Sequence, residues 1–176
     1  EDLFTWINAG RTNHTGFEFL FKQKIFRLPM FPGSLYLNAN YTWSHNKFVD
    51  FTDDEKVFDG NKLPGIPSHI AQANLKWEPL SHLIIDSQLQ FVGQQFIDDA
   101  NINVNDSYFL TNISTSYRLS ISRISDIDIY GGINNLSDTH YSPMLTVNAV
   151  AFGNSEPRYY YPGMPRHFYI GIRLFM

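Results

Sequence analysis

One pattern, the strict alternation of apolar and polar residues, constrains the fold of this chain more than any other feature of its sequence. It is clearest in the last ten residues, where every second position is apolar: Phe168, Ile170, Ile172, Leu174 and Met176. A period of two is typical of a β-strand with one apolar face, because successive side chains of a strand point to opposite faces of the sheet. Such a strand would suit a sheet whose apolar face is covered by lipid.

Six further segments repeat this alternation, and no segment has a helical period. The seven predicted strands cover residues 16–25, 34–44, 69–78, 82–98, 108–121, 126–141 and 167–176. They are longer than the roughly five to six residues usual in globular sheets, and a tilted strand that crosses a bilayer needs about 9–11 residues. The opposite face carries Gln, Asn, Ser, Lys and Asp, which would line a wet lumen in a membrane barrel or meet solvent in a soluble sandwich.

The connections between the predicted strands alternate in length. The short ones are 28–33, 79–81 and 122–125, and the longer ones are 49–66, 99–106 and 142–163. Outer-membrane barrels have short periplasmic turns and long extracellular loops, whereas a sandwich requires no such alternation. Trp43 lies beside a long loop and Trp77 beside a tight turn, as expected for two aromatic girdles. We therefore predict an all-β, transmembrane antiparallel β-barrel, with a soluble β-sandwich binding module as the alternative.

Composition narrows the function classes. Of the residues, 16% are aromatic and only 17% are charged, whereas soluble domains average about 25% charged residues. The net charge of −4 gives no reason to expect nucleic acid as a partner. The sequence has no cysteine, no HExxH motif and no GxSxG motif. We therefore expect neither an enzyme nor a bound cofactor.

Seven strands cannot form a complete bacterial barrel, which has an even number of strands and no open edge. We therefore expect residues 1–176 to be the C-terminal portion of a larger outer-membrane β-barrel. The alternation of loops would place Met176 on the periplasmic side and Glu1 on the extracellular side.

Several motifs resemble those of TonB-dependent outer-membrane receptors. The stretch YGGINNLSD at 130–138, followed by Tyr141, is similar to the penultimate strand of that family. The stretch PRYYYPG at 157–163, followed by Pro165 and Arg166, is similar to the approach to its final strand. The resemblance implies that the chain supplies the last seven strands of a 22-strand barrel and that the family's plug domain is absent from it.

The resemblance also implies a function and a set of partners. The function would be TonB-dependent transport of a scarce nutrient, most simply a ferric-siderophore complex, across the bacterial outer membrane. The partners would be the remainder of the same receptor, TonB through the absent plug region, outer-membrane lipid and the iron-siderophore ligand. A passive outer-membrane porin or channel is the alternative.

The best ligand candidates lie in the last long loop. They are Arg158, Tyr159, Tyr160, Tyr161 and Asn148. Arginine offers a fixed fork of donors to carboxylate or hydroxamate oxygens, and tyrosine offers a flat apolar surface with one polar group. The alternative is that the same residues dock this loop on the barrel rim or against the plug.

Two further sets of candidates concern calcium and membrane insertion. Asp98, Asp99 and Asp106 are weak candidates for a Ca²⁺ site, because the segment is rich in oxygen ligands but lacks the spacing of a calcium-binding loop. The final strand resembles the signal by which outer-membrane barrels are recognised for insertion. Its matching residues are Tyr169, Gly171, Leu174 and Met176. Alternatively, Gly171 only allows a lumen side chain to approach the strand.

Overall fold

A single antiparallel sheet of seven long strands organises the structure, a computed structural model that describes residues 10–28, 31–121, 126–151 and 153–175. The strands are β1 (Arg11–Leu28), β2 (Phe31–Asp50), β3 (His69–Leu80), β4 (Leu83–Val92), β5 (Tyr108–Ser120), β6 (Asp126–Asn134) and β7 (His167–Phe175). They lie in chain order, each antiparallel to the next. We call this sheet the wall.

The connections of the wall alternate in length as the sequence predicts. At one end β3 and β4 are joined by a turn at 81–82. At the other end the three long connections, residues 51–68, 93–107 and 135–166, lie together, and we call them the loop crown. Each contains one short two-stranded ribbon: Thr52–Asp53 with Lys56–Val57, Gln95–Phe96 with Val104–Asn105, and Met144–Leu145 with Tyr160–Tyr161. The predicted turn 28–33 is shorter than expected, because Leu28 ends β1 and residues 31–33 begin β2. Its residues 29–30, and the predicted turn 122–125, lie outside the described residues.

Two strands end earlier than the alternation predicts. The predicted strand to residue 98 stops at Val92, where the N–H of Gly93 still donates to the carbonyl of His69 but the chain then enters a ribbon. The predicted strand to residue 141 stops at Asn134, because Asn135 adopts a left-handed conformation with φ of 51°. A left-handed residue cannot continue a strand, so the last crown loop begins at residue 135.

Each of the seven strands presents a mostly apolar set of residues to the same face of the wall, which we call the outer face. One cross-strand row on it runs Ile25, Leu35, Trp77, Ile85, Thr115, Gly131 and Ile170. No part of the chain that the structure describes covers this face, and Phe19 is 57% exposed and Ile170 83% exposed. The buried apolar residues among those described are only Phe48, Val92, Ile97 and Leu110. A soluble sandwich would cover this face with a second sheet, whereas lipid covers it in a barrel.

The two tryptophans named above mark the upper and lower limits of the outer face. Trp43 pairs with His69 at the crown end of β3, and Trp77 lies eight residues further along the same strand. Eight residues span roughly 26 Å along a strand, and a strand tilt of about 35–45° reduces that to a height of about 20 Å. The apolar band of an outer-membrane barrel is about 25 Å tall, so the positions fit its two girdles.

The described part of the chain consists of strands and their connections. It contains no helix that is long and apolar enough to cross a membrane.

Candidate functional site

Seven carboxamides form a continuous patch on the inner face, the side of the wall opposite the apolar one. They are Asn38, Asn40, Gln72, Asn74, Gln88, Gln90 and Asn112, and we call them the amide belt. Two adjacent rows of the register hold them, and Lys22 and Leu20 begin those rows on β1. The belt lines an open groove of about 630 Å³. Carboxamides both donate and accept without carrying charge, so the groove can hold water or a polar surface without a preference for either sign of charge.

Below the belt, towards the turn at 81–82, charged and aromatic residues replace the amides. The Nζ atom of Lys76 lies 2.6 Å from a carboxylate oxygen of Glu78 and 5.6 Å from the ring centroid of Tyr36. Lys24 approaches the same ring from β1, at 4.8 Å. Ammonium groups near a tyrosine ring are attracted by its quadrupole, so Tyr36 on β2 stabilises the two like charges on the strands at either side of it.

A second charged group joins β5, β6 and β7 on the inner face. The guanidinium of Arg118 donates two hydrogen bonds to Asp128, at 2.7 and 2.9 Å. The guanidinium of Arg173 lies 5.4 Å from the ring centroid of Tyr130. A bidentate pair is directional, so it fixes how β5 and β6 face each other at this end of the lumen.

Tyrosine and glycine alternate across the β6–β7 pair and fit into each other. The ring of Tyr130 on β6 lies directly over Gly171 on β7. In the reverse sense, Tyr169 lies over Gly132, where an added Cβ would be 2.7 Å from the Tyr169 hydroxyl oxygen. Each glycine therefore leaves the space that the opposite ring fills. This agrees with the alternative role of Gly171, which is to let a lumen side chain approach the final strand.

The other residues of the predicted insertion signal are placed by the same strand. Tyr169 lies on the inner face, and Leu174 lies on the outer face with 61% of its surface exposed. Met176 lies outside the described residues. That these residues act as an insertion signal stays a prediction.

The three loops of the crown are bound to one another by asparagine side chains. The carboxamide of Asn101 donates to the carbonyl of Lys62 at 2.9 Å and accepts from its N–H at 2.8 Å, as a neighbouring strand would. Asn61 donates to the carbonyl of Asp99 at 2.8 Å. These bonds join the first loop to the second.

The second and third loops are joined around Asp99 and Asn148. The Asn148 carboxamide donates to a carboxylate oxygen of Asp99 at 2.8 Å and accepts from the Asp99 N–H at 3.1 Å. The backbone N–H of Asn148 donates to the carbonyl of Ile97, a residue with no exposed surface. Burial raises the pKa of Asp99, the Asn148 hydrogen bond lowers it, and the negative charges of Asp53 and Asp98 raise it further.

The three calcium candidates have separate surroundings. Asp98 accepts hydrogen bonds from the N–H groups of Ile102 and Asn103 at 2.9 and 2.8 Å, so its carboxylate closes a local turn. Asp99 is bound to Asn148, and Asp106 lines a different cavity. Among the described residues, no three His, Cys, Asp or Glu side chains come together to hold a metal ion. Calcium binding there stays a prediction.

A cavity of about 470 Å³ lies between the second and third loops of the crown, and we call it the tyrosine cavity. Its lining includes Tyr108, Tyr141, Tyr160, Asp106, Asp138 and His140. Tyr108 is the first residue of β5, in the inner-face row of Val92 and Ile70. The cavity therefore opens on the crown side of the amide belt.

The structure separates the predicted ligand residues instead of gathering them. Only Tyr160 lines the tyrosine cavity, and its hydroxyl donates to the carbonyl of Val104 at 2.7 Å. Arg158 lines another cavity of about 460 Å³, together with Glu156. Tyr159 contacts the Tyr160 ring edge-on at 6.1 Å between centroids, and Tyr161 is 52% exposed. Asn148 contributes the loop contacts described above.

Sequence reasoning missed the residues that build the crown. Asn135 is only 3% exposed and donates to the carbonyls of Thr139 and Met164, and it accepts from the N–H of Thr139. Asn101 and Asn135 both have positive φ, 56° and 51°, which asparagine tolerates better than most residues. For Asn135, the signal available in the sequence was the Asn134–Asn135 pair inside the predicted strand 126–141.

Comparison with known proteins places these features in a family. The family model described as the TonB-dependent receptor-like β-barrel matches residues 1–136. The ferrioxamine receptor of Yersinia enterocolitica is 26% identical over 138 residues, which are 77% of this chain and 18% of that receptor.

Solved structures share the fold. The siderophore receptor PiuA of Acinetobacter baumannii superposes with a TM-score of 0.72 at 19% identity, over 93% of this chain and 22% of that one. The ferric yersiniabactin uptake receptor FyuA of Yersinia pestis gives 0.64 at 20% identity, over 95% and 24%. The chain thus spans about a fifth of the length of the receptors it matches. The match of the family model over most of the chain shows that it belongs to the TonB-dependent receptors, which are bacterial outer-membrane proteins.

Proposed function

We propose that this chain is the C-terminal portion of the barrel of a TonB-dependent receptor that imports a ferric-siderophore complex. The observation that carries the proposal is the two-faced wall, with an uncovered apolar face, an amide-lined inner face and every long loop at one end. In such a receptor the amide belt would face the plug domain and the water around it. The loop crown would face the medium, where the ligand arrives.

The same proposal assigns roles to the ligand candidates. Tyr160 lines the entrance for the ligand, and Arg158 offers a guanidinium at a separate point of the same loop. Asn148 acts by holding the third loop to the second. The proposal contains no catalytic step, and its protein partners are TonB and the remainder of the receptor.

The name of one similar protein suggests which ligand to test first. That protein is a ferrioxamine receptor, so a ferric trihydroxamate is the first complex to offer. The complete receptor should support uptake of ⁵⁵Fe from this complex in a strain that has lost its other siderophore receptors. Uptake should stop when TonB is deleted or the proton-motive force is dissipated. Uptake that survives both treatments would instead identify a passive channel.

We also propose that Tyr169, Gly171, Leu174 and Met176 form the insertion signal of the final strand. Leu174→Asp should reduce the amount of receptor in the outer membrane, because it alters the outer face of this strand. Heat-modifiable mobility on gels, which distinguishes folded from unfolded barrels, measures that amount. Leu119→Asp is the matched control, because it puts the same charge in the same row of the outer face but outside the final strand. An equal loss in this variant would show that the charge, and not the signal, is responsible.

A further inference from the structure

The tyrosine cavity differs in chemistry from the rest of the inner face. It combines three phenol rings with the carboxylates of Asp106 and Asp138, and no Lys or Arg is among the described residues that line it. The groove of the amide belt, by contrast, is lined by carboxamides, Lys22 and four aliphatic residues, and no aromatic residue is among those described there. The cavity therefore offers aromatic faces and negative charge together, which the belt does not.

The rings of this cavity are held in place by the protein itself. The ring centroids of Tyr108 and Tyr141 lie 5.1 Å apart, and the Tyr141 ring also lies against Gly163. The backbone of Gly163 donates to the carbonyl of Tyr141 at 2.8 Å. The hydroxyl of Tyr160 is anchored on Val104. Aromatic surfaces fixed before binding cost a ligand less ordering entropy.

The carboxylates lie at the mouth of the cavity. One oxygen of Asp138 accepts the backbone N–H of Arg166 at 2.8 Å, which sets the direction of the side chain. Both Asp138 and Asp106 are exposed. An exposed carboxylate beside aromatic rings can form an ion pair with a cation while the ring faces contact the other side of the same cation.

The described residues that line the cavity include two carboxylates and no Lys or Arg, and the nearby guanidinium of Arg166 donates to the carbonyl of Leu136 outside that lining. The second crown loop carries Asp98, Asp99 and Asp106 and has no Lys or Arg. Burial is the main cause of the raised pKa of Asp99, and the negative charges of Asp53 and Asp98 raise it further. Arg158, whose guanidinium was predicted to bind the oxygens of an anionic ligand, lines a separate cavity. An anionic group would therefore be repelled from the tyrosine cavity.

We propose that the tyrosine cavity binds an organic cation, in the form of a protonated amine carried by the ferric complex. The ammonium lies against the rings of Tyr108 and Tyr160, beside the packed ring of Tyr141, and the carboxylates of Asp106 and Asp138 balance its charge. This inference rests on the proposed transport function, whose ligand it specifies. The receptor then prefers ferric complexes that carry a free amine over neutral or anionic complexes of the same size.

The first test uses two ferric trihydroxamates that differ only in whether a terminal amine is free or acetylated. Calorimetric titration of the complete receptor in detergent should give about tenfold tighter binding for the free amine, the range expected of a partly desolvated cation on aromatic rings. In the double variant Asp106→Asn and Asp138→Asn this ratio should fall to near one, while binding of the acetylated complex stays unchanged. The asparagine at 138 can still accept the N–H of Arg166.

The matched control removes two negative charges from the crown outside the cavity. Asp54→Asn with Glu55→Gln changes exposed residues of the first loop that do not line the tyrosine cavity. The tenfold ratio should persist in this variant. Equal binding of both complexes to the native receptor would overturn the proposal, as would a control variant that loses the ratio as fully as the cavity variant.

A probe without iron separates this inference from the transport proposal. Hexylammonium chloride should bind the native receptor and lose most of that binding in the Asp106→Asn, Asp138→Asn variant, with heat-modifiable mobility showing that the variant is folded. If hexylammonium binds in this way but no ferric complex is bound or imported, the cavity stands and the transport proposal fails. If hexylammonium binds native and variant receptors equally, or binds neither, the cavity proposal is wrong.

Discussion

The wall and the loop crown are held together in different ways. In the wall, backbone hydrogen bonds run along uninterrupted registers, such as the pairing of β2 with β3 from Ser34–Glu78 to Trp43–His69. In the crown, isolated backbone bonds such as that from the Gly65 N–H to the Phe96 carbonyl combine with side-chain bonds, and Asn101 and Asn148 each bridge two loops. A wall position is therefore defined mainly by the face on which it lies. A crown position is defined by the hydrogen bonds of its own side chain.

The largest expected effect comes from placing a charge on the wrong face of the wall. Leu89 lies on the outer face of β4, four residues from the level of Trp77 and four from that of Trp43. Leu89→Lys should lower the free energy of unfolding by about 2–4 kcal/mol, the cost of lysine at the bilayer midplane on the lipid side of a barrel. Urea titration of the complete receptor in lipid vesicles measures this change.

The control for that prediction is the adjacent residue. Gln88 lies on the inner face among the amides, so Gln88→Lys should change the free energy of unfolding by less than about 1 kcal/mol. Equal losses for the two lysines would contradict the assignment of the faces, and with it the description of this sheet as a membrane wall.

The β6–β7 pair is the place where the wall also depends on individual side chains. Gly171→Val would put a branched side chain where the Tyr130 ring lies, at a cost of about 1–3 kcal/mol for overpacking. The assembled fraction of receptor, read from heat-modifiable mobility, should fall accordingly. Ile172→Val, the next residue on the outer face, is the matched control and should assemble normally.

Removing the opposing ring distinguishes packing from recognition of the final strand. If Gly171 is required because Tyr130 covers it, Tyr130→Ala should restore much of the assembly lost in Gly171→Val. A double variant that assembles as poorly as Gly171→Val alone would show that the glycine is needed in its own right, as an insertion signal would require.

The wall was predictable because its information is local. A period of two within each segment fixes the faces, and in a meander the neighbours of a strand are its neighbours in sequence. The seven strands, their antiparallel order and the alternation of loop lengths are therefore confirmed. The ends of β4 and β6 were wrong, because Asn135 ends β6 through its own left-handed backbone and its bonds to Thr139 and Met164.

The crown was not predictable because its contacts join distant parts of the chain. Asp99 and Asn148 are 49 residues apart, and Val104 and Tyr160 are 56 apart. No local pattern specifies which residue an asparagine will reach. The sequence therefore indicated Tyr160 as a ligand residue but did not show that Tyr108 and Tyr141 would lie beside it.

A substitution at Asn148 tests whether the crown depends on a single side chain. Asn148 has a φ of 51°, so Asn148→Gly removes its carboxamide without straining the backbone. Loss of its two side-chain hydrogen bonds should cost about 1–2 kcal/mol of local stability. Hydrogen exchange at 93–107 and 135–166 should accelerate, while exchange in the wall stays unchanged.

The wall provides the contrast for that experiment. Asn40 donates to Gln72 over 3.4 Å, a long hydrogen bond within the amide belt, so Asn40→Ser should leave exchange in both regions close to that of the native receptor. If Asn148→Gly accelerated exchange equally in the wall and the crown, the two regions would not be separate in the way proposed above.

The smallest expected effect is a pH dependence confined to the crown. Burial and the charges of Asp53 and Asp98 raise the pKa of Asp99 above its usual value, which is about 3.9. The folded crown therefore holds this proton more tightly than the unfolded loop does. That contribution to stability is fully present below the usual pKa and is lost as the pH rises through the raised pKa of the folded state.

Exchange in the loop 93–107, corrected for its intrinsic pH dependence, should show the crown becoming less protected over that interval. Asp99→Asn keeps an oxygen acceptor for Asn148 and removes the titrating charge, so its crown should show no such change. A wall that titrated in step with the crown would mean that other groups dominate, whereas a flat profile in the native protein would remove Asp99 as the cause.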